Sequence, residues 1–266
     1  MGWCALTVLP DPAVIAHREA RRLALVLREL GGEGAAVGGG WMACDLLGSW
    51  ARYAAGLGVD GPVDDAALDA LVAFYRERDR TPRILVSPYQ HPTLMRGLKA
   101  RGFTAYEQES SLARGLDGLP PALPVPGLSF RRLDPLHEAD VAAFRDSQMI
   151  GFFEDEAPPA GMLPITERVA RAPRCRLWLL ELDGQVVGSG GLEVFEEVGV
   201  LMAGCVHPGA RRRGLHSAFI RFRLEQAARE GLRYATIGSL REESTERNAL
   251  RAGFTMSFEQ IHLQQA

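Results

Sequence analysis

The 266-residue sequence predicts an α/β (α+β) chain built as two domains. Three observations predict it. Helical and strand-like apolar spacings alternate along the whole length. A break near the middle, Gly115-Leu-Asp-Gly-Leu-Pro-Pro-Ala-Leu-Pro-Val-Pro-Gly127, holds four prolines and three glycines, which exclude a regular helix or central strand. The string before that break, Leu98-Lys-Ala-Arg-Gly-Phe-Thr-Ala-Tyr-Glu, is similar to the string near the carboxyl end, Leu250-Arg-Ala-Gly-Phe-Thr-Met-Ser-Phe-Glu. Because the flanking elements also match in order, the pair reads as an internal duplication. The expected division is a first domain over residues 1–114, a linker over 115–126 and a second domain over 127–266.

In the first domain the apolar stripe from Pro12 to Leu30 predicts an amphipathic helix. Gly40 to Leu47 and Ser49 to Gly58 read as strands, Asp65 to Arg78 as a helix and Arg83 to Val86 as a strand. A helix and a strand close this half. The glycine runs Gly31-Gly-Glu-Gly34 and Gly38-Gly-Gly40 superficially suggest a dinucleotide loop, but no helix opens after them, so they read as turns.

In the second domain Ser129 to Leu133 reads as a strand, Pro135 to Met149 as a helix and the region near Ile165 to Ala172 as another. Asp183-Gly184 between two apolar runs predicts a tight hairpin. Gly199 to Val206 is the next strand. After it Ile220, Leu224, Ala227 and Ala228 fall on one face of a helix that Gly231 ends. Arg233 to Gly238 reads as a strand, Ser244 to Ala252 as a helix and Phe254 to Leu263 as the closing strand.

Composition narrows the function. Apolar residues make up 47% and charged residues 24%, an ordinary globular balance. A net charge of -3 gives no cationic field for nucleic acid or an anionic membrane, so neither is expected as a partner. No stretch is apolar for the ~20 residues needed to span a bilayer. Met1 to Pro10 has no basic region before an apolar core, so a secretion signal is not expected. Cys4, Cys44, Cys175 and Cys205 have neither Cys-x-x-Cys spacing nor neighbouring histidines, which argues against disulfides and metal. A cytoplasmic protein without metal is expected, and a homodimer is left open.

The stretch Cys205-Val-His-Pro-Gly-Ala-Arg-Arg-Arg-Gly-Leu-His-Ser-Ala-Phe-Ile220 places a glycine-containing turn between a strand and a helix. The first N-H groups of a helix lack partners and its dipole favours negative charge, so such a turn suits a phosphate. Gly214 lets backbone approach a ligand, and Arg211, Arg212 and Arg213 add charge-assisted donors.

Val206-His-Pro208 followed by Arg211-x-x-Gly214 resembles the signature of the GNAT superfamily of acetyl-coenzyme A-dependent N-acetyltransferases. The arginine stands three residues after the proline and the glycine six after. The element order over 127–266 resembles that family's fold. The resemblance implies two tandem GNAT-like domains, each a mixed, mostly antiparallel twisted sheet flanked by helices, the first a degenerate copy. It implies a strand that splays at Val206, with backbone at Gly204, Cys205 and Val206 pairing with the pantetheine arm. The pyrophosphate would lie on the turn from Arg211 through Arg212, Arg213, Gly214, Leu215 and His216 to Ser217. Arg247 and Asn248 would pass the thiol, Asn248 as a contact.

The chain departs from the family pattern twice. His216 stands where the signature ends in Gly or Ala, and Ala249 stands where many members carry the tyrosine that protonates the departing thiolate. The matching turn of the first half carries Asp64 and Asp65, which would repel a pyrophosphate. Transfer to an amine needs a base, and the carboxylates Glu193, Glu197 and Glu154 are the expected candidates, with Glu196, Asp155 and Glu156 beside them. Cys205 reads as a small strand residue because no histidine is placed to activate it, and Val187-Gly-Ser-Gly-Gly191 misses the Gly-x-Ser-x-Gly elbow. The function expected is acetyl transfer from acetyl-coenzyme A to a small-molecule or peptide amine, directly in a ternary complex. A non-catalytic acyl-coenzyme A sensor or interaction module is the alternative.

Overall fold

A computed structural model describes residues 8–119 and 124–265. Cys4, the Met1 to Thr7 segment and residues 120–123 of the expected linker lie outside them. The chain forms two compact units, one from Leu112–Pro159 and Thr166–Met256, the other from Pro10–Ser111, Ala160–Ile165 and the segment from Ser257.

The second of these opens with α1 (Pro12–Leu30), whose first turn is set by Pro12 and by an Asp11 carboxylate accepting from the Ala13 N-H at 2.8 Å. The hairpin of β1 (Glu33–Val37) and β2 (Gly40–Cys44) follows, turning at Gly38 and Gly39 with φ of 54° and 83°. Those glycines are therefore turn residues. β1 escaped the sequence reading because Glu-Gly-Ala-Ala-Val has no alternation of bulky side chains. The two strands expected over Gly40 to Gly58 shorten to β2 and the two-residue β3 (Ala54–Ala55). Then come α2 (Asp65–Arg76), β4 (Arg83–Val86), α3 (Pro92–Ala100) and β5 (Phe103–Gly115). Asp64 caps α2, its Oδ1 accepting from the Ala67 N-H at 2.8 Å, and Asp65 pairs with Arg101 at 2.9 Å.

The other unit holds β6 (Leu128–Arg132), α4 (Glu138–Phe153), β7 (Cys175–Leu182), β8 (Gln185–Phe195), β9 (Val198–Val206), α6 (Leu215–Arg229), β10 (Tyr234–Leu240) and α7 (Ser244–Arg251). Between α4 and β7 lies α5 (Met162–Arg171). The closing strand β11 (Thr255–Gln265) begins in this unit and continues past Ser257 in the other. α4 starts later than Pro135 because Asp134 turns the chain there, accepting from the Leu136 N-H at 2.9 Å through its side chain and from the His137 N-H at 3.1 Å through its carbonyl.

Strands here run in the order β10-β9-β8-β7-β6, antiparallel except for the parallel β9-β10 pair. The Asp183-Gly184 turn joins β7 and β8 with φ of 52° and 81°. One face of this sheet packs on α6 through Leu192, Leu201, Phe219, Ile220, Leu224 and Ile237. Adjacent β8 residues show that α4 lies on the opposite face: Ser189 meets Gln148 of α4, whereas a Cβ on Gly190 would meet Phe219 of α6.

The two similar strings fold alike. Gly102 follows α3 and Gly253 follows α7, each with a left-handed φ, 76° and 86°, and each is followed by a buried phenylalanine, Phe103 and Phe254.

Candidate functional site

The site begins where two strands part. β9 and β10 pair in parallel from Val198–Tyr234 to Leu201–Ile237 and no further, although β9 continues to Val206 and β10 to Leu240. On its other side β9 stays paired to β8, but the register steps from Gly191–Met202 to Ser189–Cys205. Ala203 and Gly204 thus oppose the single residue Gly190, a β-bulge with Ala203 at φ 52°. Gly190 must be glycine: a Cβ there would lie 2.6 Å from the Phe219 ring and 2.9 Å from the Gly204 Cα.

Side chains on both faces hold the bulge. From α4, the Gln148 amide donates to the Ala203 carbonyl and to Ser189 Oγ, both at 2.8 Å. From α6, Arg223 donates through NH1 to the carbonyls of Met202 at 3.2 Å and Gly191 at 3.1 Å. Arg223 is 1% exposed, its guanidinium stacks on Phe219 at 4.2 Å, and its NH2 has no hydrogen-bond partner. Burial lowers its pKa to about 9.

After Val206 a single 3-10 turn, Pro208–Ala210, leads into Arg211, Arg212, Arg213 and Gly214, all exposed. Gly214 adopts φ 77° as the N-cap of α6 and gives it no side-chain cap. The first N-H groups of α6, on Leu215, His216 and Ser217, therefore receive no side-chain cap, which is what an anion site at a helix start needs. The contrast with α2 is direct, since Asp64 fills the equivalent place there with its own carboxylate. Arg211 differs from its neighbours. Its guanidinium turns back to the Val206 carbonyl at 3.1 Å, the Gly151 carbonyl at 3.0 Å and the Glu154 carboxylate at 2.5 Å, tying the end of α4 to the end of β9.

His216 and Asn248 meet. The Asn248 amide lies 3.0 Å from His216 Nδ1, with Ser217 Oγ 3.5 Å from Asn248 Oδ1. Burial, with Arg223 adding to it, lowers the His216 pKa to about 4, so the ring is neutral and accepts from Asn248. The larger side chain at this signature position thus joins α6 to α7.

The three expected carboxylates lie in different places. Glu197 sits in the β8-β9 turn and binds Arg233 at 2.9 Å, roughly 30 Å of extended chain from Val206. Glu154 is held by Arg211. Glu193 is 3% exposed, faces the α4 side like Ser189, pairs with Val200 just before the strands part, and lies 3.3 Å from Arg174. Cys205 and His207 both reach Ser147 of α4, Cys205 Sγ donating to its carbonyl at 3.6 Å and His207 Nε2 lying 2.9 Å from its Oγ. Burial raises the thiol pKa and lowers the imidazole pKa, which is the reverse of an activated thiolate-imidazolium pair. Ala249 is buried in the core against which α7 packs.

Sequence reasoning missed Gln148, Ser147 and Arg223. For Arg223 a signal existed: Phe219, Arg223 and Ala227 are spaced by four along the buried stripe of α6, which puts the arginine inside.

Residues 134–254 match the model of the acetyltransferase (GNAT) family. The structure is similar to a GCN5-related N-acetyltransferase from Kribbella flavida, at 19% identity over 94% of this chain and 95% of that one, with a TM-score of 0.71. It is also similar to a tandem GNAT protein from the clavulanic acid biosynthesis pathway, at 17% identity over 75% of this chain and 68% of that one, with a TM-score of 0.56. A third similarity is to an acetyltransferase from the GNAT family of Colwellia psychrerythraea, at 12% identity over 76% and 73%, with a TM-score of 0.52. A comparison with curated proteins gives no match. The fold is that of GNAT acetyltransferases, and the matched segment contains the parted strands and the uncapped helix. Among the described residues no helix is long and apolar enough to cross a membrane, and no group of three or more His, Cys, Asp or Glu could hold a metal.

The neutral His216 sets a pH dependence. Its pKa falls from the ordinary 6.5 to about 4 on folding, so between those values the unfolded chain binds more protons and stability rises with pH. Urea unfolding should show stability lost as pH falls from about 6.5 toward 4, and His216→Gln should flatten that part of the profile. A histidine resonance from His216 that titrates near 6.5 would contradict this.

Proposed function

We propose that this chain is an acyl-coenzyme A-dependent N-acyltransferase that moves an acetyl group from acetyl-coenzyme A to an amine directly, in a ternary complex. One observation carries the reading: β9 leaves β10 beside a helix whose N-terminus opens on a left-handed glycine without a side-chain cap. Together these offer extended backbone for a pantetheine arm and free N-H groups for a pyrophosphate. In this reading Gly204, Cys205 and Val206 pair with the arm, and Arg212, Arg213 and the N-H groups of Leu215 to Ser217 take the phosphates. Arg211 keeps α4 against β9, and Asn248, with His216, fixes the last helix beside the sulfur.

The amine must be neutral to attack the thioester carbonyl. Of the three carboxylates Glu193 has the place that suits a base, buried on the α4 side where the strands part. The acceptor is a small-molecule or peptide amine, and the setting is the reducing cytoplasm, in keeping with free thiols at Cys44, Cys175 and Cys205. Residues 1–114 serve as a degenerate copy of the same fold: the matching Gly-Phe corners support a duplication, and the Asp64 cap blocks a second pyrophosphate site. The buried Ala249, in place of a tyrosine acid, favours one other reading, a non-catalytic acyl-coenzyme A sensor.

Calorimetric titration with acetyl-coenzyme A should give saturable binding. Arg212→Glu combined with Arg213→Glu, both on an exposed turn, should weaken it about 100-fold or more with the thermal midpoint little changed. No binding by the native chain at millimolar ligand would end the reading. With an amine library, Glu193→Gln should lower kcat roughly 100-fold while acetyl-coenzyme A affinity stays the same. Release of free thiol by neither protein, despite tight binding, would favour the sensor.

A further inference from the structure

Arg223 is a buried cation with no counter-ion among the described residues. Among the described residues no carboxylate pairs with it; the titratable groups that face it are Cys205 of β9 and His216 of α6, both neutral at pH 7. Its NH1 is spent on the carbonyls of Gly191 and Met202, and its Nε lies 3.4 Å from the Phe219 carbonyl. NH2 is left over, and it lies where a side chain on Gly204 would be: a Cβ built there comes within 2.8 Å of it. Gly204 is the bulged residue of the strand that parts from β10. Taking a charge out of water without a counter-ion is costly, and two carbonyl bonds offset only part of that cost. The two carbonyl bonds account for a donor at this position, but a neutral donor could make them, so the positive charge itself has no structural partner here.

We infer that Arg223 is an electrostatic positioning residue of the acyl-transfer site, whose buried guanidinium, held behind the β9 bulge at Gly204, stabilises negative charge on the departing coenzyme A sulfur. The inference rests on the acyltransferase reading. In the step concerned the amine nitrogen bonds to the thioester carbonyl carbon, and the carbon-sulfur bond breaks with its electron pair remaining on sulfur. The amine's proton passes to the base and on to water. The products are an amide, a coenzyme A thiolate and a proton. A tyrosine would quench that thiolate by protonation, and position 249 is alanine. A fixed positive charge in a low-dielectric interior does the same work without a proton, because it lowers the cost of the anion where the anion forms. Arg223 suits this because its charge persists at neutral pH and the two carbonyls fix its position.

The test reads the thiol itself. Full-length protein is titrated from acid to alkaline pH with coenzyme A bound, and thiolate absorbance is followed by difference against the same protein holding desulfo-coenzyme A, which cancels the protein's own cysteines. In the native chain the bound thiol should titrate below the thiol of free coenzyme A measured in the same buffer. Arg223→Met should raise that midpoint by about one unit, a tenfold lower thiolate fraction at neutral pH, and should lower the thermal midpoint because the Gly191 and Met202 carbonyls lose their donor. Arg223→Lys puts an ammonium, which burial deprotonates more readily, at the same place, so its thiol midpoint should fall between the native and Met values. In turnover assays Arg223→Met should lower kcat by a larger factor than it lowers acetyl-coenzyme A affinity. Equal thiol midpoints in the native and Met proteins would overturn the inference while leaving the acyltransferase reading intact. Failure of the native chain to bind coenzyme A would instead overturn that reading, and this inference with it. Should Arg223→Met not fold, a thiol midpoint in Arg223→Lys raised above the native one would support the role, and an unshifted native midpoint would refute it.

Discussion

The candidate site depends on one constraint, the parting of β9 from β10 after Leu201. A strand edge inside a sheet is ordinarily satisfied by its neighbour, and an unpaired row of N-H and C=O groups is a liability unless something else takes it up. Here the departure is imposed by the bulge at Ala203-Gly204, which shortens the reach of β9 along β8 and turns its last residues. The bulge cannot relax because Gln148 binds it from one face and Arg223 from the other. Gly190 and Gly204 leave room for the close contacts that this arrangement needs.

The parted strands would have no functional meaning without the turn that follows. Two helix starts in this chain differ by one residue type, with opposite consequences. Asp64 closes the N-terminus of α2 with its own carboxylate, whereas Gly214 leaves the N-terminus of α6 for a ligand. The arginines of the turn divide their work on the same logic. Arg211 is committed to Glu154 and two carbonyls, so it fixes the turn to α4 and β9, and Arg212 and Arg213 remain exposed.

Much of this was legible in the sequence because it is local. The α1 stripe, the Asp183-Gly184 hairpin and the strand-turn-helix around Gly214 follow from spacing and turn chemistry within a few residues. What the sequence did not disclose is set by packing across elements. The bulge appears only when β8 and β9 are placed in register, and the roles of Gln148 and Arg223 appear only once α4 and α6 cover opposite faces. The place of each acidic residue was hidden for the same reason: three similar carboxylates read alike, yet Glu197 ends at a remote hairpin, Glu154 in an ion pair and Glu193 in the interior. His216, a departure from the family pattern in sequence, is explained by its neighbour Asn248 thirty-two positions away.

The central claim is that the open edge of β9 and the start of α6 form one coenzyme A site. Amide hydrogen exchange with and without coenzyme A tests it most directly, because the method reports protection residue by residue. The account predicts slowed exchange concentrated at Gly204 to Val206 and at Arg213 to Ser217. Protection that leaves both segments unchanged, or that falls on the Asp64-capped turn instead, would contradict it.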